Sequence, residues 1–503
     1  MSRRVEQVCV VGRDAAALIA AVSIQRALGR GGAQVRLIEL PSMLQPTDCY
    51  AAVPSLRALH DLLGLEESLV LRAARGTPMV AQRYSNWSGA APPFLHGIDT
   101  QPPAGGDLNF WQYWIKGRLE GLKVELEDFS LAAAAAKQGR VPIAPGGQPP
   151  PLAASFGYHL DALGYAHLLR QFAQASGVEG RRSRSIEAEL DGERIAAVVL
   201  DDGERVEADL FIDASGAEGA LIRAMPGAGF DSWSDYLPAN RILSASAPRL
   251  SQLPAFSEVS AFRGGWTGLY PLQDRTAVVA AYNDAFMDDE EVVQSLSVLA
   301  RLPMQGDAVV APWEAGIQTQ PWIGNCVAVG EAAVVLEPLD GVQLHMVHSC
   351  VSHLMTLFPT AAEDMPEARA YNRVIADTAR NVRDFQFAHY RLNKRFDEPL
   401  WDRARDADVP DSLARKFDLF EARGVIPVYD HESFEDSSWA ALFAGHGLQA
   451  RGYDPRVDHL SDQDHIAKVQ DRLRDIAMLV SAMPAVEDYL QRSAQRQPAM
   501  AGQ

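Results

Sequence analysis

The first forty residues constrain this chain more than any other stretch. Val5 to Val11 (VEQVCVV) reads as a short buried strand, Gly12 to Leu28 as an alanine-rich helix, and Gln34 to Leu40 (QVRLIEL) as a second strand carrying Glu39 near its end. Strand, tight turn, helix and strand in that order form the βαβ opening of a dinucleotide-binding fold. The turn reads Gly12-Arg13-Asp14-Ala15-Ala16-Ala17 where such folds carry G-x-G-x-x-G. Glycine is wanted there for a tight turn, for close approach of backbone to a pyrophosphate, and for helix–strand packing. Only the first glycine remains. Ala17 is tolerable at the third place, but Asp14 puts a Cβ and a carboxylate where a diphosphate would rest.

At 503 residues the chain is too long for one compact core, so two or three modules are expected. Its formal charge is 46 − 65 = −19, and the pI is near 5.1. Such an acidic chain is repelled by phosphate backbones and anionic lipid, which argues against nucleic-acid and membrane partners. With 47% hydrophobic and 22% charged residues, the composition is that of a folded globular protein. Cys9, Cys49, Cys326 and Cys350 lie far apart with no C-x-x-C pair, which argues against a disulfide framework or a zinc site and fits a reducing compartment. No metal site is expected. The N-terminus enters the strand pattern with no signal h-region before it, and no run of 18 apolar residues follows, so a cytoplasmic, soluble protein is expected. Among the 46 basic residues only Lys116, Lys123, Lys137, Lys394, Lys416 and Lys468 are lysine.

Further along, 53–71 reads as helical, 78–84 as extended, and 101–106 and 144–152 as Pro/Gly-rich loops. Segments 109–122 and 132–136 are helical candidates, and 159–177 reads as one amphipathic helix. Residues 186–216 alternate as a β-meander with turns at 191–192 and 202–203, ending in a buried strand at 210–213. Two or three strands follow over 258–283 and a strand and turn over 326–336, and the chain from 362 onward is mainly helical.

Two further motifs bear on a cofactor. Asp213-Ala214-Ser215-Gly216 closes a strand with small residues, which lets the chain pass close to a ribityl chain or a second phosphate, though a plain strand-and-turn reads the same way. Trp322 to Gly330 (WIGNCVAVG), followed by Leu336-Glu337-Pro338-Leu339-Asp340-Gly341-Val342-Gln343-Leu344, is a strand and a Pro-containing loop leading into a helix. Free backbone N–H groups at that helix start suit an anion or a flavin carbonyl.

The order and spacing of these segments resemble the flavin-dependent tryptophan halogenases nearly end to end. The segments that carry the likeness are VPSLRALHDLLGL (53–65), RYSNW (83–87), GYHLDALGYAHLL (157–169), WIGNCVAVGEAA with EPLDG (322–341), the helical stretch 371–401 and SSWAALFAGHGLQARGYDP (437–455). The resemblance implies an α/β fold: an FAD/NAD(P)-binding, Rossmann-like module of the glutathione-reductase type, as in flavoprotein monooxygenases. That FAD-binding module would be discontinuous over 1–40, 155–225 and 320–360, with a substrate-side sheet and loops over 41–154 and 226–319. A C-terminal helical region over 361–490 and a flexible tail over 491–503 would complete it.

The resemblance also implies a two-component reaction. A separate flavin reductase supplies reduced FAD, oxygen forms a flavin hydroperoxide, and halide attacks it to give hypohalous acid. That acid reaches a lysine beside an aromatic or indole-containing substrate, with a glutamate nearby. Here the lysine position holds Met79 and the glutamate position holds Asp340. FAD would lie along Gly12, Asp14, Ala17, Glu39, Asp213, Gly216, Gly330, Pro338 and Leu339, and halide would meet the backbone of Val342 and Gln343. The substrate pocket would draw on His96, Trp111, Trp266, Trp439 and Phe443. The family's second flavin loop reads Thr47-Asp48-Cys49-Tyr50-Ala51-Ala52 here, without its glycines and glutamate. The second tryptophan of its Gly-Trp-x-Trp-x-Ile-Pro motif is Gly268, which is expected to open space between flavin and substrate. These departures fall on functional loops while the strands and helices remain recognisable. The expected activity is therefore FADH2- and O2-dependent halogenation or oxygenation of an aromatic substrate at a degenerate site. The alternative is a non-catalytic relative with weak or no FAD binding, acting as a homodimer or beside an intact halogenase.

Overall fold

The computed structural model describes residues 3–88, 92–99, 108–143 and 154–495. The Pro/Gly-rich segments 101–106 and 144–152 lie outside them. Strand β1 (Gln7–Gly12) has both faces buried beyond its first residue, because it lies between two parallel neighbours. On one side is β2 (Gln34–Glu39), reached through helix α1 (Asp14–Leu28). On the other side is the strand Leu210–Ala214.

The sheet continues outward to Glu179–Arg182 beyond β2, and to Cys326–Ala328 and Trp322–Ile323 beyond Leu210–Ala214. Ten of the 15 residues of α1 are buried, most of them Ala, Leu, Ile or Val, so the helix packs tightly on this sheet. Gly12 is required by that packing. A Cβ there would sit 2.2 Å from the carbonyl oxygen of Ala214 in the paired strand.

A second sheet of seven strands stands apart from the first: Gln305–Pro312, Arg241–Pro248, Arg275–Tyr282, Gly265–Pro271, Phe256–Phe262, Ala81–Ser85 and Phe94–Gly97, in that spatial order. The helix Asp289–Ala300 covers one of its faces. Helices at Glu367–Arg391, Pro399–Asp406, Asp411–Arg423, Asp436–Gly445, Asp462–Ala482 and Val486–Gln495 complete the chain. Among the described residues no helix is long and apolar enough to cross a membrane. All four cysteines are free.

Four local expectations change. The helix expected from His159 starts at Ala162, because Gly157–Asp161 is a strand between Cys49–Ala52 and Thr77–Met79. Asp161 ends that strand and caps the helix, its Oδ1 accepting from Gly164 N at 2.7 Å. The helix expected over 53–71 is two, Ser55–Leu63 and Glu67–Ala73, separated at Gly64 with φ 66°. The last strand of the expected meander belongs to the parallel sheet, while Ile186–Asp191, Arg194–Leu200 and Arg205–Val206 form their own small sheet. The tail expected from 491 is helical to Gln495.

Gly12→Ala tests the strand contact directly. The added methyl meets backbone that cannot turn aside, so the thermal midpoint should fall by roughly 5 °C or more, or soluble protein should be lost. An unchanged midpoint by differential scanning calorimetry would show that β1 and Leu210–Ala214 are not held this close.

Candidate functional site

On the cofactor side, nearly every residue that sequence reasoning marks already has a protein partner. Asp213 is fully buried, and its carboxylate accepts from the backbone of Ser215, Leu221 and Ile222 at 2.8 to 3.0 Å and from the Ser215 hydroxyl at 2.6 Å. It shapes the 215–222 turn. Glu39 accepts from Arg170 Nε at 2.6 Å and lies 3.7 Å from Arg182 Nε. Gly330, with φ 61°, sits where a Cβ would come within 2.9 Å of Val347 and 3.5 Å of Ala16. The carbonyls of Pro338 and Leu339 accept from Tyr270 OH at 3.0 Å and Gln386 Nε2 at 2.9 Å. Ala17 is buried in α1, and Gly216 alone has open space around its Cα.

Asp14 opens α1 in the left-handed region, with φ 54°, and is only 8% exposed. A non-glycine residue there is strained by about 1 kcal/mol. Its carboxylate belongs to an acidic group with Asp48 and Glu331. Burial pushes both of those carboxyls up, Asp48 and then Asp14 push Glu331 further, and Asp14 pushes Asp48. The Tyr50 hydroxyl is pushed well up by burial and then by Asp14, Glu331 and Asp48. The second flavin loop is here the regular strand Cys49–Ala52, paired to Gly157–Asp161.

The other side of the Glu337–Asp340 segment is a cavity of about 190 Å³. Met79, His96 and Asp340 line it together with Gln82, Ile98 and Phe434. Met79 is buried, with its sulfur 3.8 Å from Ser257 Oγ, and none of the six lysines lines the cavity. Asp340 is 2% exposed, with φ 61°. Its Oδ1 accepts from the Tyr84 hydroxyl and lies 3.5 Å from His389 Nε2. His389 Nδ1 is 2.9 Å from His446 Nε2. Burial, then His389 and Lys394, hold His446 well below the ordinary histidine range, so it is neutral and able to donate Nε2–H to His389. Tyr84 stacks on His389 at 4.3 Å. Asp340 Oδ2, His96 Nε2 and Gln82 Nε2 have no hydrogen-bond partner. Sequence reasoning missed Tyr84, Gln82, His389 and His446. The last two sit inside the FAHY and AGHGL stretches, where only their contact across the fold distinguishes them.

The remaining candidates lie elsewhere. Trp111 donates Nε1–H to Gly424 O at 2.8 Å, and Trp439 donates to Glu432 at 3.2 Å. Phe443 packs against Phe417 and Phe420 at 5.2 and 5.1 Å. Trp266 is fully buried and donates to Glu337 Oε2 at 2.9 Å. Gly268 does not open space: a Cβ there would meet the Tyr270 hydroxyl at 2.6 Å, so the Tyr270 ring covers the place of the missing tryptophan side chain. Gln343 begins the helix Gln343–Thr356, with Val342 buried just before it.

The family model for tryptophan halogenases matches residues 7–462. The chain belongs to that family. It is 25% identical to the tryptophan 7-halogenase RebH of Lentzea aerocolonigenes, over 98% of this chain and 99% of that one. Among solved structures it is similar to BrvH, a flavin-dependent halogenase from Brevundimonas sp. BAL3, at 29% identity and a TM-score of 0.89, covering 97% of this chain and 99% of that one. It is likewise similar to Xcc4156, a flavin-dependent halogenase from Xanthomonas campestris, at 27% identity and a TM-score of 0.91, covering 98% and 99%. The fold is the FAD-binding, Rossmann-like monooxygenase fold of these flavin-dependent halogenases.

The residues present do not fit an FAD diphosphate at the start of α1. A helix N-terminus attracts phosphate, but here Asp14, Asp48 and Glu331 gather near that end, and the described arginines beside them are engaged: Arg13 is paired with Glu218 and Arg275 with Asp161. The same crowding has a pH signature. Glu331 has a raised pKa in the folded state, so its ionisation opposes folding above the ordinary carboxylate range and has no effect below it. Glu331→Gln should therefore raise the thermal midpoint at pH 7.5, with the gain shrinking as pH falls toward about 4.5. Equal gains at both pH values, measured by scanning fluorimetry, would count against the acidic cluster.

Proposed function

We propose that this halogenase-family protein keeps an aromatic-substrate pocket but does not carry out lysine-directed halogenation, and that it binds FAD weakly or not at all. The observation that carries the reading is the pairing across the cavity: Met79 stands opposite Asp340, and no lysine lines the space between. A positioned ammonium nitrogen converts diffusing hypohalous acid into a local electrophile, and such positioning can contribute several kcal/mol to the barrier. A thioether offers neither that nitrogen nor a charge, and hypohalous acid would oxidise it to a sulfoxide.

What remains is a carboxylate with a defined direction. Tyr84 donates to Oδ1 of Asp340, His389 Nε2 lies 3.5 Å from it, and Oδ2 has no partner in the protein. The neutral His446 can donate to His389 Nδ1, which would leave the His389 proton on Nε2, 3.5 Å from Asp340 Oδ1 and without a hydrogen-bond partner in the protein. Asp340 can thus accept a proton or hydrogen bond from a bound ring. FAD, reduced by a separate flavin reductase, would supply oxidising chemistry where it binds. A second reading, a non-catalytic partner of another copy or of an intact halogenase, is favoured by the three carboxylates at the diphosphate position.

A carboxylate about 4 Å from a phosphate charge costs on the order of 1–4 kcal/mol at effective dielectrics of 80 to 20. That corresponds to about one to three decades in affinity. Calorimetry should find FAD binding weaker than micromolar, tightened by Asp14→Gly. Submicromolar binding unchanged by that substitution would refute the electrostatic argument.

With a flavin reductase, oxygen and bromide, the protein should yield no regioselective bromotryptophan by mass spectrometry. Met79→Lys alone should not restore it, and the double variant with Asp14→Gly is the informative one. Regioselective product from the unmodified protein, persisting when scavengers remove free hypobromous acid, would show that position 79 has been misread.

A further inference from the structure

We infer that the cavity between Met79 and Asp340 selects a neutral or cationic aromatic ligand with a hydrogen-bond donor and turns away aromatic carboxylates; this rests on the pocket reading above. Among the described residues three carboxylates line the cavity, Asp99, Asp340 and Glu435, and no lysine or arginine does.

The two imidazoles of the lining add no positive charge. Burial holds His96 and His345 down to about 4, so both are neutral near pH 7. An anionic ligand group entering here would leave water without a counter-ion and meet like charge.

The unpartnered atoms say what the ligand should offer instead. Asp340, 2% exposed, presents Oδ2 with no donor, and His96, 6% exposed, presents Nε2 with no partner. A buried acceptor without a donor is costly, and a ring N–H, phenolic O–H or ammonium group would satisfy it. Ile98, Phe434 and Met79 supply apolar wall for the ring. Phe434 is itself fixed by stacking on Phe385 at 3.7 Å.

The test is calorimetry on the unmodified full-length chain with three probes sharing one ring: tryptamine, indole and indole-3-acetate. Tryptamine should bind at least tenfold more tightly than indole-3-acetate, equivalent to about 1.4 kcal/mol, with indole between them. Asp340→Asn should shrink that lead at least threefold. Should this variant fold poorly, the ranking on the unmodified protein decides alone. Equal or tighter binding of indole-3-acetate would overturn the charge preference while leaving the pocket reading intact. A ranking unchanged in a folded Asp340→Asn would place the binding elsewhere and overturn the inference. Binding of none of the three would overturn both the preference and the pocket reading.

Discussion

Glu337 is a buried carboxyl at which three parts of the chain meet. It lies on the segment leaving the parallel sheet and accepts from Trp266 Nε1 of the seven-stranded sheet at 2.9 Å, Tyr390 OH of the long helix at 2.6 Å, and Ala239 N at 3.1 Å. Burial pushes its carboxyl up, and these donors pull it back down. Removing one partner of such a network leaves a buried polar or charged group uncompensated, which typically costs about 3–5 kcal/mol. Gln386 fastens the same segment by donating to the carbonyls of Glu337 and Leu339 at 3.0 and 2.9 Å. Asp340 therefore inherits its position from Glu337. The fold can retain that geometry whatever happens to the chemistry around it.

The two faces of the segment have diverged differently. Toward α1, groups that a dinucleotide would need are engaged by the protein: Asp213 by its own turn, Glu39 by arginines, Gly330 by helix packing. Toward Met79, polar atoms remain without partners. Each face also has an aspartate in the left-handed region, Asp14 and Asp340. Such strain persists only where surrounding contacts over-determine it. For Asp340 those contacts are visible in Tyr84, His389 and the clamp behind it. For Asp14 they are the burial of its side chain beside the Cys49–Ala52 strand.

The sheet and its helices were legible in the sequence because they rest on periodicity, on glycine placement and on a resemblance that runs the length of the chain. Gly12 was legible as a constraint, but its reason is strand packing against Ala214. Gly268 misled, because a missing side chain reads as space until Tyr270, two residues along the same face, is seen covering it. Trp439 and Phe443 were expected near a pocket by region and are buried in aromatic packing, while Trp111 lines a small cavity separate from that of Asp340. The relay of Tyr84, His389 and His446 could not be read at all. Tyr84 and His389 lie 389 − 84 = 305 residues apart and His389 and His446 lie 57 apart, and nothing local marks a histidine as the partner of another.

The unpartnered atoms around Asp340 bear on what the cavity can hold. A pocket with no ligand is free to collapse into apolar packing, and replacing matched polar groups by apolar ones of similar shape is nearly neutral. Leaving a buried donor or acceptor unmatched costs about 1–3 kcal/mol each. Asp340 Oδ2, His96 Nε2 and Gln82 Nε2 are all in that condition within one cavity, while Asp213 and Glu337, buried as deeply, are saturated. The difference is one of purpose in the physical sense. Saturated groups hold the fold, whereas unmatched ones leave hydrogen-bonding capacity that a water or a ligand can complete. Met79 and Asp340 both line this cavity, and the segment carrying Asp340 is clamped through Glu337 and Gln386.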